Sequence, residues 1–324
     1  MMKRKNLLKL MSAALTAITL FAPAISAQKK ESTQRPNLIV IHTDEHNFRT
    51  LGCYRDLMSE DQAYIWGKGV KVDTPNIDSL AKEGAICTSY YAASPVCTPS
   101  RASLLTGLYP QVTGSPKNDM PLNDDIVTFA ELFRRNGYAT SYVGKWHLDG
   151  HDKPGFAPKR KFGFEDNRYM INRGHWKMLT DSPDGVSFVG SFNESKNKYT
   201  FDINQADPEN FTTDYLMNKT IDIIDRDKGK PFCLMLSIPD PHGPNQVRVP
   251  YDTMYSGMKF QDPKSMNVKG AKVPKWCSQG KKNSVKKFQE KDQRQNAWYF
   301  GMVKCIDDNM GKLIAYLKKN GPCP

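Results

Sequence analysis

Several absences narrow the class of this chain before any motif is read. Its seven cysteines, Cys53, Cys87, Cys97, Cys233, Cys277, Cys305 and Cys323, show no CxxC framework and are odd in number. No disulfide scaffold can therefore be read from their spacing, and one is left over for another role. Beyond the first thirty residues no apolar run has the length needed to span a membrane. No compact basic helix with interleaved aromatics appears, so nucleic acid is not an expected partner even at a formal charge of +12. No internal repeat or low-complexity tract competes with a globular reading.

What is present is 324 residues, 39% hydrophobic and 25% charged, enough for one large domain or two ordinary ones with a substantial core. The first 27 residues read as a signal peptide. Lys3, Arg4, Lys5 and Lys9 form a basic start, an apolar stretch follows, and small residues at Ala24 to Ala27 suit cleavage. Pro23 interrupts the run and no cysteine sits at the cleavage point, so neither an anchor helix nor a lipid anchor is indicated. The expectation is export to a bacterial periplasm or beyond the cell, with residues 28–35 as a short linker. Removing the leader takes away four positive charges and no negative one, and +12 falls to +8. That surplus suits an anionic substrate. It equally suits a solubilising surface, because much of it lies between Lys264 and Lys291.

Along the mature chain, strands alternate with helices. Asn37 to Asp44 is a short continuous apolar run of the kind buried on both faces of a parallel sheet. Thr74 and Pro75 open a helix to Lys82. Residues 85–92 read as extended. Thr98 and Pro99 open a helix through Leu105, closed by Gly107. Val127 to Asn136 is an amphipathic helix and Tyr138 to Val143 a strand. Residues 148–210 lack periodicity and read as long loops. Thr212 to Asp225 is a helix, Phe232 to Ile238 a strand, residues 243–290 irregular and basic, and Gln293 to Asn320 a long helix, broken once. This order predicts an α/β fold with a mostly parallel central sheet flanked by helices. Sites in such folds lie beyond the carboxyl ends of the strands. Asp44, Lys145 with His147, and Asp240 with His242 each follow a predicted strand.

Four segments carry chemistry. In SPVCTPSRASLLTG (Ser94 to Gly107), Pro99 fixes a helix start and leaves Cys97 at a helix N-terminus, where amide N–H groups and the helix dipole favour an anion. Arg101 follows one turn later and can make charge-assisted hydrogen bonds to oxyanions. HTDEHNFRTLGCY (His42 to Tyr54) puts adjacent carboxylates, Asp44 and Glu45, at a strand end, where oxygen ligands suit Ca²⁺ or Mg²⁺ better than zinc. GYATSYVGKWHL (Gly137 to Leu148) ends in Lys145 and His147, and LSIPDPHGP (Leu236 to Pro244) carries His242.

Together these segments resemble the formylglycine-dependent sulfatases of the alkaline phosphatase superfamily. DTPNIDSLAKEGA (Asp73 to Ala85) and CIDDNMGKLIAYLKKNG (Cys305 to Gly321) extend the resemblance over most of residues 36–321, the expected catalytic domain, with 322–324 as a tail. The resemblance implies that a maturation enzyme converts Cys97 to formylglycine and that a hydroxyl of the hydrated aldehyde attacks sulfur. It implies that Asp44, Glu45 and the residue at Cys97 ligate a divalent metal, usually Ca²⁺ and less often Mg²⁺. Arg101 and Lys145 would bind the nucleophile or the sulfate. His147 would accept a proton as the aldehyde reforms, and His242 would act on the leaving-group oxygen. The implied activity is sulfuric ester hydrolysis, on a sulfated carbohydrate or small molecule. His42 and His46 match no ligand and read as local or substrate-side residues, and Asp240 reads as a turn former.

In that family the last helix is followed by a strand ending in Ser-Asp-His-Gly, which supplies further metal ligands, then by a later Lys and a C-terminal subdomain. This sequence ends at NGPCP before any of them. On the resemblance, the polypeptide by itself is expected to bind metal poorly and to turn over little. Three other readings remain open at this stage: a phosphodiesterase or phosphonate hydrolase of the same superfamily, an inactive remnant that binds sulfated glycans, and an ordinary thiol nucleophile at Cys97 with His147 as its base.

Overall fold

A computed structural model describes residues 35–193, 198–264 and 290–320. The leader, the linker up to residue 34, the tail and most of the basic stretch after Lys264 lie outside the described residues. In chain order the main elements are β1 (Leu38–Thr43), α1 (Pro75–Glu83), α2 (Cys97–Thr106), α3 (Phe129–Arg135), β2 (Ala139–Lys145), β3 (Asp166–Ile171), β4 (Leu179–Ser182), β5 (Gly185–Phe188), β6 (Ser191–Asn193), β7 (Lys198–Thr200), α4 (Thr212–Asp227), β8 (Phe232–Ile238) and α5 (Glu290–Asn320).

The central sheet runs β1-β8-β2-β3, every neighbouring pair parallel. FCLMLSI fills the middle because it offers no polar face to water: all of β8 is buried. Its side chains alternate between two covered faces. Leu234 and Leu236, with Val143, pack against Leu216, Ile223 and Ile224 of α4 and Ile306, Met310 and Leu313 of α5. Met235 and Tyr142 turn the other way, onto Ala102 and Leu105 of α2, Ala130 of α3, Trp146 and Phe164. Helices on both faces make the three-layer arrangement that a parallel sheet requires, and each such buried aliphatic stabilises by roughly 1.5–3 kcal/mol. β1 is an outer strand and only half-buried along its length. Beside it Phe48, Tyr90, Tyr91, Leu108 and Tyr109 line an open hollow of about 790 Å³. No helix among the described residues is long and apolar enough to cross a membrane.

The predicted α/β sheet is the fold observed, with four corrections. Residues 85–92 form loop and turn rather than a strand, most of their side chains are exposed, and among the described residues they pair with no strand. Residues 148–210 contain a sheet strand, β3, and two small antiparallel pairs, β4–β5 and β6–β7. These strands are three to six residues long, too short to show a period. α5 runs unbroken through Gly311, which is there for packing: a Cβ would sit 2.7 Å from Asn76 Oδ1. Thr74 precedes α1 without capping it by its side chain. Asp307, on α5, does that instead, its Oδ1 accepting from the amides of Asn76 (3.1 Å) and Ile77 (2.9 Å).

Candidate active site

All four sheet strands deliver polar side chains at their carboxyl ends, and these meet. Asp44 follows β1, Lys145 ends β2 with His147 just beyond, Arg173, His175 and Lys177 follow β3, and Asp240 and His242 follow β8. α2 inserts from one face and supplies Cys97 and Arg101. Its first turn is tied to the exit of β2: Thr98 Oγ1 donates to the His147 carbonyl (2.9 Å), while the Thr98 amide donates to Asn118 Oδ1 (3.0 Å). Gly107, at φ 71°, closes the helix by bonding back to Ser103 (2.8 Å).

The centre is Asp44, 6% exposed. Lys145 Nζ donates to its Oδ2, Arg101 Nη2 lies 3.5 Å from the same oxygen, and Cys97 Sγ lies 3.8 Å from Oδ1. Burial alone would raise the Asp44 pKa. The polar contact of His175 Nε2, 3.7 Å from Oδ2, and the charges of Arg101 and Lys145 outweigh it and hold the carboxyl well below the usual range. Arg101 Nη1 is anchored by the Lys145 carbonyl and Ser237 Oγ, both at 2.7 Å. Its Nε and Nη2 are buried and make no hydrogen bond. The Cys97 thiol is half-buried and free, and burial pushes its pKa up against the pull of Lys145.

Glu45 lies at the open side of the centre. Its backbone is left-handed (φ 56°), its side chain is more than half exposed, and Oε1 pairs with His242 Nε2 at 3.1 Å. His147 (φ 60°) and Asp119 (φ 65°) are left-handed too. Non-glycine residues in this region cost about 1–3 kcal/mol each and gather where a site imposes them.

The exit of β3 falls within residues 148–210, the stretch expected to be loop. His175 Nε2 lies 2.8 Å from Lys145 Nζ, and its ring stacks on His242 with centroids 3.7 Å apart and planes 9° apart. Burial first, then Lys145 and His242, lower its pKa to about 4, so Nε2 is the acceptor for the ammonium. Lys177 and Asp240 form a fully buried ion pair; Asp240 Oδ2 also accepts from Thr213 Oγ1 (2.8 Å), and Lys177 Nζ reaches the His242 carbonyl at 3.4 Å. Asp240 lies in the turn that the His242 amide closes onto the Pro239 carbonyl (3.2 Å), and it is also one half of the buried pair behind the His242 loop. His46 is bridged between Thr43 Oγ1 (3.2 Å) and Thr50 Oγ1 (3.0 Å) and is a local fixture, while His42 Nδ1 is buried without a partner.

Asp44, His175 and His242 place one ligand atom each within 4.8 Å of one another, the chemistry of a metal site. The Lys145 ammonium lies on both Asp44 and His175, so this space already holds a cation of the chain's own. Calcium takes about six to eight oxygens. Asp44 and Glu45 offer two carboxylates, one of them engaged by Lys145, so the described residues do not fill a calcium shell.

A parallel α/β sheet that gathers a lysine, an arginine, histidines and a helix N-terminus at its strand exits defines a protein built to handle an anionic group. The family follows from comparison: residues 36–322 match the model of the sulfatase family, and the chain belongs to it. It is 30% identical over 299 residues to an ulvan-active sulfatase of Formosa agariphila, covering 91% of this chain and 50% of that protein. A solved structure in complex with its substrate D-glucosamine-2-N,6-O-disulfate superposes with a TM-score of 0.60 at 22% identity, over 90% of this chain and 63% of the other. A phosphonate monoester hydrolase of Agrobacterium radiobacter superposes at 0.58 and 20% identity, over 89% and 60%. These two likenesses show the fold. The chain spans about half the length of the curated relative.

Proposed function

We propose that this chain carries the nucleophile-bearing part of a sulfuric ester hydrolase acting on sulfated carbohydrate, with Cys97 matured to formylglycine. The observation that carries the reading is Cys97 at the first turn of α2, facing Asp44 in a centre that leaves several buried polar atoms unsatisfied among the described residues. Arg101 Nε and Nη2 and His147 Nδ1 are buried polar atoms without hydrogen bonds, and such atoms are rare and costly unless a further group completes them. Oxygen in place of sulfur would do so. The thiol itself is a poor nucleophile here, because burial keeps it protonated. That weighs against a cysteine hydrolase.

Formylglycine supplies a hydrated aldehyde whose hydroxyl attacks sulfur. The chain's own residues do the rest. Lys145 and Arg101 offer N–H groups where charge grows on the sulfate oxygens. His147, neutral because burial lowers its pKa to about 4, accepts a proton at Nδ1. His242 Nε2, paired with Glu45 at the open side, donates toward the leaving-group oxygen. The sugar class is supported by the names of the ulvan-active relative and of the glucosamine disulfate ligand. The basic, apolar leader of residues 1–27 supports export.

The test is the mass of the tryptic peptide from Glu83 to Arg101, taken from the native host. The expected result is an aldehyde at Cys97 with the Cys87 thiol intact. An unconverted Cys97, in a host that matures its other sulfatases, overturns the proposal. Matched sulfate and phosphonate esters then separate this reading from a phosphonate hydrolase.

A further inference from the structure

A neutral imidazole has one donor nitrogen and one acceptor nitrogen, and what surrounds it decides which is which. His147 Nε2 lies 3.2 Å from Asp119 Oδ1. A carboxylate can only accept, so Nε2 must carry the hydrogen and Nδ1 must hold the lone pair. That lone pair is buried and has no partner among the described residues. The backbone leaves the ring little freedom to swing. The His147 amide donates to the Asn172 carbonyl (2.8 Å), its own carbonyl accepts from Thr98 Oγ1 (2.9 Å), and φ is 60°. Asp119 is held from the far side by an ion pair, Arg173 Nε lying 3.0 Å from the same oxygen.

We propose that Asp119 is the positioning residue of His147, holding it as the Nε2–H tautomer so that Nδ1 stays a bare acceptor at the start of α2, with Arg173 clamping the carboxylate. The inference rests on the reading of His147 as proton acceptor and extends it to two residues that touch no reacting atom. The alternative tautomer would aim an N–H at the position where a proton has to be received, and two lone pairs would face each other across the 3.2 Å gap to Asp119. Burial, with Lys145 adding to it and Asp119 opposing, keeps the ring neutral near pH 7, so tautomer rather than charge is the variable. The arrangement follows the general rule that an acidic partner on one ring nitrogen orients the other for its task.

Tautomers are read directly by long-range ¹H–¹⁵N correlation on the ¹⁵N-labelled full chain at neutral pH, with His147 assigned by its loss in His147→Gln. The expected spectrum has a pyrrole-type Nε2 and a pyridine-type Nδ1 for His147. In Asp119→Ala the two ¹⁵N shifts should move toward each other as both tautomers populate. Asp119→Asn, which keeps an acceptor oxygen, should restore the wild-type pattern, and Arg173→Met should give a smaller move in the Ala direction. A wild-type spectrum with hydrogen on Nδ1, or one that Asp119→Ala leaves unchanged, overturns the inference. The wild-type spectrum alone suffices for that if a variant fails to fold. The readout needs no turnover, so it fails independently of the function. A fixed tautomer with Cys97 unconverted sinks the sulfatase chemistry only, and a converted Cys97 with a tautomer indifferent to Asp119 sinks this inference only.

Discussion

The exits of β2 and β3 lie side by side in the sheet and use their residues in opposite ways. After β2, Lys145 and His147 point into the centre and fall within one contiguous GKWH. After β3, Arg173, His175 and Lys177 alternate along the chain, and each grips a group from outside its own exit: Asp119 behind His147, Lys145 with the His242 ring, and Asp240 with the His242 carbonyl. On the proposed reading, one exit performs the chemistry and the other holds it in register. A group that touches a reacting centre is restricted in type and position by the reaction. A group that holds it is restricted only by what it holds, so its identity makes sense only once the partner is known.

The largest effect is expected on the β2 side. Gly144 has φ 98°, and a Cβ there would land on the Ser237 carbonyl oxygen of the neighbouring β8 strand. Neither strand can yield, since both are buried in the middle of the sheet. Gly144→Ala combines a forbidden backbone with a backbone clash and should cost more than about 4 kcal/mol, seen as loss of soluble folded protein or collapse of the denaturation midpoint. A variant within about 1 kcal/mol of wild type would mean that β2 and β8 do not approach this closely. On the β3 side, Lys177→Met strands Asp240 as a buried lone charge and should cost about 3–5 kcal/mol in chemical denaturation. The double variant Lys177→Met with Asp240→Leu should recover most of that. A loss below about 1 kcal/mol in the single variant would make the β3 exit mere packing and erase the contrast.

The sequence made the strands that end in chemistry legible, and for a physical reason. β1 and β8 are continuous apolar runs, and Asp44, Lys145 and His242 are polar groups placed at the ends of such runs, which a soluble loop does not require. Cys97 was legible because Pro99 and Gly107 mark both ends of its helix. β3 was not. DNRYMI mixes charged and apolar residues, since this strand lies at the border of the sheet and Arg168 faces outward, with its guanidinium on Asp166. His175 and Lys177 were lost with it, although the i, i+2, i+4 spacing of Arg173, His175 and Lys177, all basic beside an apolar Met170-Ile171, was a signal that could have found them. At Glu45, adjacency to Asp44 suggests a shared ligand pair; its backbone is left-handed and its carboxylate pairs with His242, which the sequence does not announce.

The smallest effect tests a contact outside both exits. TPN and DDNMG were read as two separate helices, and the sequence does not say that one caps the other. Asp307 accepts from the Asn76 and Ile77 amides and takes Asn76 Nδ2 on Oδ2 at 3.0 Å, with Lys304 3.4 Å away. Burial raises its pKa in spite of those bonds, so desolvation offsets part of what the cap contributes. Asp307→Ala should therefore cost only about 1–2 kcal/mol, and Asp307→Asn, which keeps Oδ1 as acceptor, should restore most of it. Both should leave the His147 spectrum unmoved, because the groups bonded to Asp307 are Asn76, Ile77 and Lys304, not His147, Asp119 or Arg173. A variant that lost stability and also shifted the His147 nitrogens would show that the site answers to global loosening. In that case the separate role argued for the β3 exit would fall with it.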